Sequence, residues 1–122
     1  MSREHPQILY IGDLQRAEAF RMEVESVGWA VFAPSHLMEA LAMYISYMPD
    51  LIVLDTCACG FWEAVYAHLR SVHARPILLL TERSRVFDGV TADFALPADM
   101  PPHDLMIAIS GWVYSMSQLL QV

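Results

Sequence analysis

Four consecutive apolar residues, Leu51-Ile52-Val53-Leu54, run from a Met48-Pro49-Asp50 turn signal straight into Asp55 and a Cys/Gly-rich loop. An apolar run this short, bounded by turn signals, predicts a strand covered on both faces. That is the central strand of a parallel sheet. Asp55 is then expected at its carboxyl end, the edge where open α/β sheets place their chemistry. The function of the chain turns on what surrounds Asp55.

Strand-like and helix-like patterns alternate along the rest of the chain. Gln7-Ile8-Leu9-Tyr10-Ile11 reads as a first strand, ending at Gly12-Asp13. From Leu14 to Val27, Ala17, Phe20, Val24 and Val27 recur at helical spacing, and Gly28 suits the stop. Trp29 to Ala33 is a short second strand. Ser35 is the expected N-cap of a helix running to about Tyr47, with Glu39 in its first turn. After the Leu51–Leu54 strand, a helix is expected from about Phe61 to Val72, closed by Arg75-Pro76. Ile77 to Leu80 is a fourth strand, and about Asp93 to Leu96 a fifth. The last helix starts near Pro101-Pro102-His103-Asp104 and runs to about Leu120. This alternation predicts a three-layer α/β fold, a five-stranded parallel sheet with helices on both faces, in a single domain over residues 1–122.

Composition narrows the function classes. The 122 residues are 56% apolar and 17% charged, enough for a core without disulfides or a structural metal. The net charge of −7, with seven Arg and no Lys, argues against a nucleic-acid partner, which needs a basic footprint. Every apolar stretch is interrupted well short of a membrane span, so no membrane partner is expected. The first thirty residues are acidic and lack signal-peptide architecture, so a cytoplasmic location is expected. Cys57 and Cys59 are too close for a disulfide framework and bring no histidine cluster with them, so reduced, partly buried thiols are expected. Gly12-Asp13-Leu14-Gln15 is no phosphate-binding turn, and nothing pairs a nucleophile with a base. No enzyme is expected.

The carboxylate after strand one, Pro49–Asp55 as strand three, Leu78-Leu79-Leu80-Thr81 as strand four and Phe94-Ala95-Leu96-Pro97 before an amphipathic helix together resemble the receiver domain of two-component response regulators. The resemblance covers about Gln7 to Leu120 and implies a flavodoxin-like arrangement. It makes Asp55 the phosphoacceptor equivalent and Thr81 the switch-hydroxyl equivalent. It also makes Asp13, Asp55 and the Cys57 backbone carbonyl the ligands of a Mg²⁺ ion.

The sequence departs from that pattern at the charged positions. The acidic pair after strand one reads Gly12-Asp13, and the lysine expected before Pro97 is either replaced by Leu96 or deleted outright. Phosphoryl transfer to a carboxylate relies on positioning and charge neutralisation, so losing an acid and an ammonium leaves an incomplete device. Only fifteen residues separate Thr81 from Pro97, which implies that the helix between strands four and five is shortened, around Arg83 to Val90. Two readings stay open. The leading one is a pseudo-receiver that acts by protein–protein contact, with a protein partner or as a homodimer, and needs no cofactor. The other is an atypical phosphoacceptor within a phosphorelay, with Mg²⁺ on Asp13 and Asp55 and Arg83 or Arg85 replacing the lysine. A cation or water-filled acidic pocket at Asp55 favours phosphorylation, and a pocket plugged by Cys57, Phe61 or Leu96 opposes it.

Plainer roles are available to the same residues. Asp55 can hydrogen-bond loop amides, Asp13 can cap the first helix, and Thr81 can be an ordinary strand-end hydroxyl. On the last helix, Leu105, Ile109, Trp112 and Met116 form an apolar stripe, with Tyr114 beside it. They are candidate interface residues, or the buried face of a packed helix.

Overall fold

A computed structural model of the chain describes residues 6–58, 60, 62–72, 77–82 and 94–120. Its elements alternate as β1 (Gln7–Ile11), α1 (Leu14–Glu25), β2 (Ala30–Phe32), α2 (Leu37–Tyr47), β3 (Leu51–Asp55), α3 (Trp62–Val72), β4 (Ile77–Thr81), β5 (Phe94–Pro97) and α4 (Pro102–Leu120). All strand pairings are parallel, in the order β2-β1-β3-β4-β5. The expected five-stranded parallel sheet, covered by helices on both faces, is the fold.

The two-residue period of a strand explains how three strands can each carry four apolar residues in a row. Leu9, Ile11, Ile52, Leu54, Ile77 and Leu79 point into one layer, against Ala40 and Tyr44 of α2 and Trp62, Val65, Tyr66 and Leu69 of α3. The alternate residues Ile8, Tyr10, Leu51, Val53, Leu78 and Leu80 point the other way, against Ala17, Phe20 and Val24 of α1 and Leu105 and Ile109 of α4. The same parity puts Asp55, two residues beyond Val53, on the α1/α4 side. Strand order reverses between β1 and β3, so the carboxyl ends of these two strands flank the crevice of the sheet.

Several boundaries differ from expectation for local reasons. Helix α1 ends at Glu25 rather than Val27, because residues 26–28 form a turn completed by Gly28 at φ 84°. The N-cap of α2 is His36, not Ser35. His36 Nδ1 accepts from Glu39 N at 3.2 Å, while Ser35 Oγ and its amide donate to the Glu39 carboxylate. Ser35, one residue upstream of the cap, therefore uses its hydroxyl to hold the Glu39 carboxylate. Asp50 anchors the start of β3 to β1: Gln7 N donates to Asp50 Oδ2 and Asp50 N donates to Gln7 O, both at 2.8 Å. The expected shortened helix around Arg83 to Val90 lies outside the described residues.

Leu54 is fully buried between sheet and helices, whereas Ile45 on α2 is 75% exposed. Leu54→Ala is expected to lower the unfolding free energy by about 2–5 kcal/mol, through lost burial and a residual cavity. Ile45→Ala is expected to change it by no more than about 0.5 kcal/mol, both read from urea unfolding curves.

Candidate functional site

Strand β3 delivers Asp55 to the carboxyl edge of the sheet with no exposed surface. A buried carboxylate needs donors. Its Oδ1 accepts from Cys57 N at 3.0 Å and Ala58 N at 3.3 Å, because the chain turns sharply after the strand. That turn is fastened to β4 by Thr56, whose amide and hydroxyl both donate to Leu80 O, at 3.0 and 2.8 Å. Asp55 Oδ2 is buried and, among the described residues, has no hydrogen-bond partner. What faces it is a guanidinium: Arg16 Nη1 stands 3.6 Å away and donates at 2.9 Å to Ala98 O, just past β5.

Arg16 therefore links the first turn of α1, the end of β3 and the loop leading into α4. Its side chain is half exposed, and it forms part of a cleft of about 400 Å³ with Tyr10, Phe20, Met100, Pro101 and Leu105. Tyr10, buried on the same face of the sheet, feels the local charges. Burial pushes its hydroxyl well above the ordinary tyrosine range, and the nearby Asp55 and Asp13 carboxylates push it the same way, against Arg16.

Gly12 closes the site from β1. Ile11 pairs with Leu54, which brings the next residue of each chain side by side. Gly12 has φ 155°, and a Cβ built there would lie 2.5 Å from Asp55 Cβ. Asp13 then caps α1, its Oδ1 accepting from Gln15 N at 2.8 Å and Arg16 N at 3.2 Å.

No protein-family model and no curated protein matches the chain. Solved structures do resemble it. A CheY-like receiver domain protein from Methanospirillum hungatei superposes with a TM-score of 0.79 at 16% identity, covering 93% of this chain and 98% of that one. A receiver domain protein from Clostridium thermocellum gives 0.76 at 17% identity, covering 93% and 98%. A chemotaxis response regulator of Vibrio cholerae gives 0.69 at 19% identity, covering 87% and 97%. The fold is that of a response-regulator receiver domain.

Within that receiver fold, Asp55 accepts from the amide of Cys57, the residue whose carbonyl the resemblance made a metal ligand, and Asp13 caps α1 just past the neighbouring strand. Thr81 is half-buried one residue beyond the partner of Asp55 on β4, and forms no hydrogen bond to it. Among the described residues, no group of three or more His, Cys, Asp or Glu is placed to hold a metal ion. Cys57 is exposed rather than partly buried, since its amide, not its thiol, turns inward. Leu96 packs into the α1/α4 layer; Phe61, Arg83 and Arg85 lie outside the described residues.

Of the interface candidates, Leu105 and Ile109 are buried in the core, 4% and 1% exposed, so within this chain they serve cohesion. The side chains of Trp112, Tyr114 and Met116 lie outside the described residues. The residue that sequence reasoning missed is Arg16. Its signal was its position: a cation in the first turn of a helix works against the helix dipole and calls for a carboxylate nearby.

Two outcomes check this geometry. Gly12→Ala is expected to destabilise the fold by about 1–3 kcal/mol in denaturant titrations, because Asp55 Cβ has no room to retreat. With its folded-state value raised, Tyr10 stays neutral in the fold while the unfolded chain ionises. Stability is therefore retained below about pH 10 and lost as pH rises beyond it. Tyr10→Phe should flatten that alkaline decline in melts between pH 8 and 11.

Proposed function

We propose that the chain is a receiver-fold module of signal transduction that acts by contact with a protein partner or a second copy, without the usual phosphorylation switch and without catalysis of its own. One observation carries this reading: the Asp55 carboxylate is fully buried, bonded to two loop amides and covered by Gly12 and Arg16. A phosphodonor has to reach that oxygen in line, and here no surface is offered to it.

The residues present do not fit a magnesium ion. Mg²⁺ demands near-octahedral oxygen ligands. Asp13 Oδ1 and Asp55 Oδ1 each already hold two amides, and position 12 has no space for a second acid. Arg16 already places a positive charge 3.6 Å from Asp55 Oδ2, which opposes a second cation.

Several large apolar side chains stand exposed for contact, Met38, Ile45 and Ile107 among them. The acidic charge supports a protein partner over nucleic acid. Among the described residues no helix is long and apolar enough to cross a membrane, and a cytoplasmic setting agrees with the reading.

The same Arg16 favours the second reading in one respect. It supplies a cation beside Asp55, as an atypical phosphoacceptor needs in place of the missing lysine. A direct test separates the two. Incubation of the full chain with Mg²⁺ and acetyl phosphate, or with beryllofluoride, is expected to give no change in tryptophan fluorescence and no phosphoryl adduct in the mass spectrum. An adduct that disappears in Asp55→Asn would overturn the pseudo-receiver reading.

A further inference from the structure

We infer that Arg16 is a built-in substitute for a divalent cation, and that its guanidinium adds, to the amide-bound oxygens and the missing second acid, the charge that opposes a metal ion in the Asp13–Asp55 crevice. The inference deepens the reading above by naming what disables the site, and it rests on that reading only for the inactivity of the intact chain.

The charge pattern comes first. Asp13 and Asp55 stand at the carboxyl ends of the adjacent strands β1 and β3, and Tyr10 senses both of them together with Arg16. Among the described residues, nothing hydrogen-bonds the buried Asp55 Oδ2. Arg16 answers it by charge alone: at 3.6 Å Nη1 is too far for a good hydrogen bond to Oδ2, and its short bond goes to Ala98 O. A hard cation with oxygen ligands would find there the oxygen that the guanidinium leaves unbonded.

The arginine is also costly to its own helix. It occupies the third position of α1, where the dipole favours anions. Gln keeps helix propensity almost unchanged at such a site. Nothing about α1 asks for a cation at residue 16, whereas the carboxylate beside it does. With the guanidinium gone, the carboxylates at the ends of the adjacent strands β1 and β3 lose the countercharge of this residue.

Mn²⁺ alone is the probe, followed by electron paramagnetic resonance, with wild type, Arg16→Gln, Arg16→Lys and the double variant Arg16→Gln/Asp55→Asn. Arg16→Gln is expected to bind Mn²⁺ at least about ten-fold more tightly than wild type, the scale of one unit charge removed from a few Å away. Arg16→Lys should stay near wild type, and the double variant should lose the gain. Circular dichroism verifies folding, and Arg16→Met replaces Arg16→Gln if the latter does not fold. Equal Mn²⁺ affinity in wild type and Arg16→Gln would overturn the inference, as would a gain that survives Asp55→Asn or appears equally in Arg16→Lys. These outcomes are independent of the adduct test, since a phosphorylated wild type refutes the pseudo-receiver reading whatever Arg16→Gln binds.

Discussion

A carboxylate without exposed surface, at the end of the central strand, is the constraint to which the functional edge of this molecule is fitted. An ionised group in that position has to be met by donors or by a countercharge. Asp55 receives both. The backbone after β3 turns back so that Cys57 and Ala58 donate to one oxygen, and Arg16 reaches from α1 toward the other. Thr56 pins the turn to β4, and Ala98 pins the guanidinium. Three elements distant in sequence are tied together through one side chain.

That arrangement changes the meaning of each site residue. At this edge of the sheet the Asp55 oxygens are enclosed by loop backbone on one side and faced by the Arg16 charge on the other. Gly12 is required by the close approach of β1 to Asp55 Cβ, so the absence of an acid at this position is steric as well as chemical. Asp13 spends one oxygen on the amides of α1, whose first turn carries Arg16. The helix cap, the glycine and the arginine thus act on the same carboxylate.

The fold itself rests on simpler physics. Strands β1, β3 and β4 each carry four consecutive apolar residues because their side chains alternate between two helix layers, and that pattern is written in the residues. The capping role of Asp13 was legible for the same reason, since capping is a relation between neighbours. The contacts of Arg16 were not, because residues 16, 55 and 98 meet only once strand order and register are set. Arg83 and Arg85 attracted attention through their nearness to Thr81 in sequence, a measure that carries little weight across a sheet edge.

The sequence by itself determined the alternation of elements, the two-sided burial of the central strands and the placing of Asp55 at the carboxyl end of β3. These follow from periods of two and 3.6 residues and from caps and turns, all local properties. Only the tertiary structure decided that Asp55 is sealed, that Gly12 leaves no room for a second acid and that Arg16 provides the countercharge. Those facts depend on which strand ends lie side by side, and no local pattern in the chain encodes that distance.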